Sequence, residues 1–157
     1  MSVGVFVLRH GRRLPLHDHP NMFGILKVIH GTLTVNSYST LDPSQHSIPD
    51  SVSEGNPSIK QHTVPAKFEG HNQVSEKDPC CILTPEKSDI HEISSENGIA
   101  AFVDILAPPY HTDNRQCTYF QDISRDMDSL RYLLKTSCPR DYWCDEEVYR
   151  GPVLTID

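Results

Sequence analysis

The chain has 157 residues, 37% of them hydrophobic, and a formal net charge of −7 from 14 Lys and Arg against 21 Asp and Glu. That length predicts one domain, residues 1–157, with enough chain to bury a core. The interspersed, net acidic charge argues against nucleic acid or an anionic membrane as the main partner, and no apolar run nears the ~18 residues of a membrane span.

Ser2–Leu8 (SVGVFVL) reads as a strand that begins almost at the first residue, so a lead-in is expected to be missing and the chain to be a short form. The first residues also lack the basic, apolar and cleavage segments of a secretory signal. Gly11 and Pro15 punctuate the approach to His17-Asp18-His19. Side chains two apart on an extended chain share a face, so these two imidazoles can chelate one ion. Pro20-Asn21-Met22 turns the chain. Ile25–Ile29 and Thr32–Tyr38 are then predicted as strands joined at His30-Gly31, forming an antiparallel hairpin with one wet face.

Residues 42–63, rich in Ser, Pro, Asp, Asn and Gln, are expected to form a flexible, partly disordered surface loop. Thr63–Phe68 is a strand candidate and Glu69–Pro79 returns to loop character. Cys80–Thr84 is a short strand stopped by Pro85, and the polar turn Glu86–Asp89 leads into Ile90-His91-Glu92-Ile93. Asn97-Gly98 is a hairpin signal, opening the apolar run Ile99–Leu106, which only Asp104 interrupts. Pro108-Pro109 ends that run, and a polar loop leads to a short strand at Gln116–Phe120. Leu130–Lys135 reads as a helical turn or a strand, and the β character elsewhere favours strand. Arg140–Asp157 is expected to be an irregular segment packed over the body. Without a three-turn amphipathic helix, the pattern predicts an all-β sandwich or barrel with few or no helices.

The five cysteines include adjacent Cys80 and Cys81 and no C-x-x-C pair. They predict neither a disulfide framework nor a structural zinc site, and place the chain in a reducing compartment, cytoplasmic or nuclear. Of the nine histidines, His10, His46, His62, His71 and His111 read as solvated, and His30 as structural beside a turn glycine. A third ligand to complement His17 and His19 is His91, which lies between Ile90 and Ile93 in a segment short enough to be drawn inside. By itself, H-x-H is as consistent with two satisfied side chains as with a chelate.

The spacing Gly11, five residues, His17-x-His19, then Gly24 and Gly31 resembles the first cupin motif, G-x5-H-x-H-x4-E-x6-G, with Gly24 in the glutamate position. Pro85, six residues before His91, resembles a degenerate second motif, one residue longer than P-x-G-x2-H and lacking its glycine. Without the glutamate, His17, His19 and His91 form a neutral face. A divalent metal on such a face keeps its charge uncompensated, so the centre favours an anionic ligand and would deprotonate a bound thiol. Imidazoles alone do not choose iron over zinc, nickel or copper, and a zinc site with an activated water stays open.

Read whole, the chain resembles the thiol dioxygenases of the 2-aminoethanethiol (cysteamine) dioxygenase and plant cysteine oxidase family. The matching stretches are LPLHDHPNMFGILKVIHGTL (14–33), CILTPEKSDIHEI (81–93), AAFVDILAPPY (100–110), RQCTYF (115–120) and DYWCDEEVYRGP (141–152). The end of the chain is more similar to the animal branch. The resemblance implies a cupin double-stranded β-helix, a jelly-roll-like barrel holding Fe(II) on His17, His19 and His91. With O2 as co-substrate, the implied reaction converts a small aminothiol or a Cys-initiated protein N-terminus to a sulfinic acid, an oxygen-sensing role.

The resemblance also implies that Asp104 and Tyr110 belong to the catalytic site. Asp104 would anchor a ligand histidine or hold the substrate amine. The hydroxyl of Tyr110 would bond bound oxygen or substrate. It further implies that Cys117 and Tyr119 form a pair able to cross-link, although a buried thiol beside an aromatic is the commoner arrangement. Asp104 as a carboxylate capped by backbone N–H groups and Tyr110 as a packed turn residue are the plain structural alternatives. No basic residue is assigned to a substrate carboxylate. A non-catalytic metal-binding cupin, or a three-histidine zinc or nickel cupin enzyme, is the rival reading. A monomer is expected, because no long exposed apolar strand stands out.

Overall fold

A computed structural model describes residues 1–125, 128–148 and 150–152. In chain order the elements are β1 (Ser2–Leu8), β2 (Arg12–Asp18), β3 (Phe23–His30), β4 (Thr32–Thr40), α1 (Asp50–Ser53), α2 (Pro57–His62), β5 (Thr63–Ser75), β6 (Cys81–Leu83), β7 (Ile90–Ser95), β8 (Ala100–Ala107), β9 (Tyr119–Asp122) and β10 (Leu130–Thr136). One antiparallel sheet has the order β1-β8-β3-β6, and the remaining strands close in the order β10-β5-β4-β7-β2-β9. This is the cupin-like β fold that the sequence predicts.

The strands follow from period-two alternation. Along β8, Ala100, Phe102, Asp104 and Leu106 are buried while the residues between them are half-exposed. Phe6 on β1 stacks on Phe102 with ring centroids 5.1 Å apart. Between the two sheets lies a core built around Leu26, Val28, Leu33, Val35, Ile93 and Phe102. A second core, of Leu16, Tyr38, Ala66, Ile90, Phe120 and Leu133, joins the other face of β2, β4 and β7 to β9 and β10. Strands β2 and β7 are therefore covered on both sides, and the histidines they carry are held in a rigid wall.

Several sequence expectations are corrected. The segments on either side of His30-Gly31 are strands but not a hairpin. β3 pairs with β6 and β8 in one sheet, and β4 with β5 and β7 in the other. Both strands aim their apolar faces at the same core, so the chain must turn a corner between sheets. Gly31 makes that corner with φ +72, and a Cβ there would lie 2.4 Å from the carbonyl oxygen of Ile99. Asn97-Gly98 is likewise a crossing, because β7 and β8 belong to different sheets.

The loop expected over residues 42–63 holds two short helices, the second begun by Asn56, whose side chain accepts from the Ser58 N–H. Residues 69–75, read as loop, extend β5 to Ser75. Their polarity hid the strand because His71, Asn72 and Gln73 face solvent, and Gly70 marks the shift in register opposite Ser37 and Tyr38. The described part of the closing tail is almost wholly exposed rather than packed over the body. Its holds are Asp141, 3.5 Å from Arg13, and Tyr142, whose ring lies 6.3 Å from that of Tyr119. Residues 153–157 of that tail lie outside the described residues.

The premise of the monomer expectation also fails. Val3, Val5 and Val7 on β1 and Phe23, Ile25 and Ile29 on β3 are long exposed apolar rows. Among the described residues no helix is long and apolar enough to cross a membrane.

The corner at Gly31 yields a stability prediction. Gly31→Ala, forced into both the left-handed region and the Ile99 carbonyl, should cost about 3 kcal/mol in urea unfolding. Gly11→Ala, at φ +70 but with nothing within 4 Å of its added Cβ, should cost only about 1 kcal/mol.

Candidate metal centre

The site begins with an irregularity in β2. Leu14 lies opposite Ile93 and His17 opposite His91, so Pro15 and Leu16 face the single residue Glu92 across the ladder. This β-bulge tolerates a proline, which has no ladder N–H to give, and it re-aims the side chains that follow. Leu16 enters the outer core, while His17 turns to the interior between the sheets and His19, two residues on, follows it. His91 arrives from the neighbouring strand at the position directly across from His17.

The three rings form a compact triangle. Centroids are 4.8 Å apart for His17 and His19, 4.9 Å for His17 and His91, and 4.5 Å for His19 and His91. One nitrogen from each lies within 4.8 Å of the others, and all three residues are buried. Nδ1 of His17 is 2.7 Å from the Pro15 carbonyl and Nδ1 of His19 is 3.3 Å from the Asp89 carbonyl. A carbonyl only accepts, so each Nδ1 carries the proton and each Nε2 keeps a free lone pair. Burial holds all three imidazoles below the ordinary range, His19 to about 3, with neighbouring histidine charge adding to the shift at His19 and His91. Neutral, oriented, converging nitrogens are the donor set a divalent metal requires.

The structure also explains the missing carboxylate. A Cβ on Gly24 would lie 2.7 Å from Cγ of Leu83 and 3.0 Å from Cδ2 of Leu106. The glutamate position is filled by leucines from the adjacent strands, leaving no room for an acid.

Asp104 sits on β8, its Cα opposite Leu26 on one side and Gly4 on the other. Burial pushes its carboxyl up to about 6, and the backbone N–H of Ile105 lowers it only in part. Its Oδ1 is buried without a hydrogen-bond partner. Tyr110 lies with its ring 5.7 Å from that of His19 and donates its hydroxyl to the Asp18 carbonyl at 2.6 Å. Tyr119 pairs with His17 across β9 and β2, rings 6.4 Å apart. Cys117 is a free thiol beside the hydroxyls of Tyr110 and Tyr119, and burial pushes it up to about 11. The remaining histidines stay out of this cluster, exposed except for half-buried His46.

Two residues that hold the site had only weak signals in the sequence. Asp89 accepts from the N–H and the hydroxyl of Thr40, 2.9 and 2.6 Å away. This fixes the turn whose carbonyl holds His19. Asp18 accepts from the Thr118 N–H at 2.7 Å, so the residue between two ligands anchors the approach to β9. Each is an acid beside a ligand histidine, which was the only hint available. A cleft of about 270 Å³ reaches His91 between the sheets, with Leu26, Ser37, Glu69, Asn72 and Lys87 among its walls.

Comparison with known proteins agrees with this arrangement. The family model PCO_ADO matches residues 1–154. The chain is 34% identical over 168 residues to the 2-aminoethanethiol dioxygenase of Mus musculus, covering 96% of this chain and 66% of that protein. It is 30% identical over 127 residues to plant cysteine oxidase 1 of Arabidopsis thaliana, covering 80% and 39% of the two chains. The chain thus spans just under two thirds of the mouse protein's length. Among solved structures, the capsular polysaccharide assembling protein CapF of Staphylococcus aureus matches with TM-score 0.50 at 10% identity, over 75% of this chain and 27% of that one. That likeness is of fold alone.

Asp104 supplies the pH prediction for the metal-free protein. Its carboxyl is raised in the folded state from 3.8 to about 6. The raised value favours the fold fully below pH 4, and that contribution is lost as pH climbs through 6. Asp104→Asn should therefore be more stable than the parent at pH 8 by about 3 kcal/mol, with the gap closing by pH 4 in urea titrations.

Proposed function

The chain belongs to the PCO_ADO family, and on that premise we propose that it is an Fe(II)-dependent thiol dioxygenase acting on cysteamine or on an N-terminal cysteine. The observation that carries the reading is the buried, neutral triangle of His17, His19 and His91, with the carboxylate position closed at Gly24. Iron held by those three histidines would supply the redox chemistry that joins dioxygen to a thiol. Both oxygen atoms go to sulfur, so a thiol becomes a sulfinic acid and no further reductant is consumed. That product is not readily reversed, which suits oxygen-dependent marking of a protein N-terminus.

The chain's own residues have definable tasks in this reaction. With Nδ1 protons donated to the Pro15 and Asp89 carbonyls, His17 and His19 present Nε2 without any proton to lose. A neutral donor set leaves the cation's charge available to an incoming thiolate. Asp104, with a buried oxygen lacking any partner, is suited to accept from the ammonium group that both substrates carry next to the thiol. A buried carboxylate facing a cation gains what it lost on leaving water. Tyr110 closes the site beside His19 and excludes water there, its hydroxyl already committed to the Asp18 carbonyl. Cys117, a free thiol beside the hydroxyl of Tyr119, is the partner for the thioether link that the family resemblance implies. The cleft at His91, about 270 Å³, is far larger than a two-carbon aminothiol and favours the peptidic substrate.

The test is iron analysis of anaerobically prepared protein, followed by mass spectrometry of cysteamine and of a Cys-initiated peptide after exposure to oxygen. The expected product is heavier by two oxygen atoms. His91→Ala should lose both iron and oxygen uptake, by more than the ~100-fold that outer partners of metal ligands cost. Undiminished uptake in that variant would overturn the three-histidine site. A zinc or nickel form active without oxygen would overturn the dioxygenase.

A further inference from the structure

The cleft at His91 has a wall whose backbone is only half used. It touches Cys81, Ile82 and Leu83, the three consecutive residues of β6. Successive side chains of a strand point to opposite faces. Here Cys81 packs against the core and Leu83 is buried, while Ile82 is 65% exposed on the outer side. A cleft in contact with all three therefore runs along the edge of the strand, where the main-chain N–H and C=O groups lie. That edge is open. Among the described residues β6 pairs only with β3, Leu83, Ile82 and Cys81 lying opposite Gly24, Ile25 and Leu26. It ends the sheet order β1-β8-β3-β6.

Both ends of β6 are held in place. Lys27 reaches from β3 to the carbonyls of Glu76 and Asp78, 2.8 and 2.5 Å from its ammonium, in the loop before the strand. After the strand, Thr84 and Lys87 exchange main-chain hydrogen bonds of 2.9 and 3.2 Å. Natural sheet edges are commonly blunted by a lysine, a proline or a bulge. Cys81-Ile82-Leu83 carries none of these. Across the cleft, β4 and β5 have their backbones paired with each other. They offer side chains instead, from Ser37 and Asn72.

We propose that a Cys-initiated peptide docks by adding an extended strand to the open edge of β6, with its first residue directed to His91. Resting on the thiol dioxygenase reading above, this docking gives that site a way to take a protein N-terminus. Main-chain pairing would hold the peptide whatever its side chains. Ser37 and Asn72 would meet the peptide's second edge, so that its backbone groups keep partners on leaving water. Because β6 is fixed at both ends, its edge is already in the shape that pairing needs, which lowers the ordering cost of binding. Cysteamine has no peptide groups and gains nothing from β6. The strand would thus separate the two substrates by binding rather than by chemistry at sulfur.

Amide hydrogen exchange of the complete chain without oxygen tests the docking apart from any turnover. The probe is a tetrapeptide of one N-terminal cysteine and three alanines, amidated at its end. Exchange within Cys81–Leu83 should slow at least about 10-fold with the tetrapeptide bound and stay unchanged with cysteamine. In oxygen, methylating the peptide's main-chain nitrogens one at a time should lower kcat/KM at least about 10-fold at one position or more. Exchanging its alanines for serine should change it far less. Unaltered exchange at β6 with up to about 1 mM peptide overturns the proposal. Full activity of every methylated peptide overturns it as well, by showing that the main chain is not paired. A protein that oxidised neither thiol would sink the dioxygenase reading alone, since protection of β6 is read without oxygen.

Discussion

Three imidazoles packed within 4.8 Å of one another can share a dry interior only if none of them is charged, and most of the architecture around the site answers to that constraint. Each Nδ1 that could otherwise wander is given a main-chain carbonyl, from Pro15 and from Asp89. Those carbonyls are themselves fixed, one by a β-bulge and the other by a turn clamped onto Thr40. The strands bearing the ligands are packed between two cores, which hold the rings in place. Leucines rather than an acid fill the space beside Gly24. The result is a centre whose charge balance is left to whatever binds it. This is also why an acid stranded on the facing strand, Asp104, acquires meaning. Its Oδ1 is buried without a hydrogen-bond partner, and in the proposed reaction it would meet the amine of the substrate.

Much of this was legible in the residues. His17 and His19 declared themselves by spacing, and His91 by its position between isoleucines after a polar turn. The cupin-like spacing placed the missing carboxylate at Gly24 before any packing was visible. A β-rich stretch marked β1, a continuous apolar run marked β8, and the β character of the rest of the chain favoured a strand at β10. What the sequence concealed was mostly non-local. Whether the chain reverses beside itself at Gly31 or crosses to another sheet depends on which core the flanking apolar faces share. A turn dipeptide such as Asn97-Gly98 looks the same in either case. The extension of β5 through His71, Asn72 and Gln73 was hidden because its polar residues face water while their backbone pairs with β4. The anchoring of the ligands to the Pro15 and Asp89 carbonyls could not be read at all, since main-chain acceptors leave no mark in the sequence.

The two sheets have opposite characters. One is closed on itself, with apolar residues on both sides of β2, β4 and β7, and it holds the chemistry rigidly. The other has one face in the core and one face of valine and isoleucine turned outward. Its inner face contributes Asp104 and the leucines beside Gly24, so it forms the lid of the site as well as an outer wall.

Asp18 has a consequence for the order in which the molecule forms. Its carbonyl accepts from Tyr110, 92 residues further along, and its carboxylate from Thr118, 100 residues further along. Contacts of such separation close late, because the loop entropy must be met before they contribute. During synthesis, the histidines flanking Asp18 emerge well before the strand that supplies the third histidine, and the segments bearing Tyr110 and Thr118 follow later still. The three-histidine site is therefore complete only once those later segments are in place. Until β7 has emerged, the growing chain carries two of the imidazoles without the third, and metal specificity would be settled by the finished pocket rather than by the first two ligands to appear.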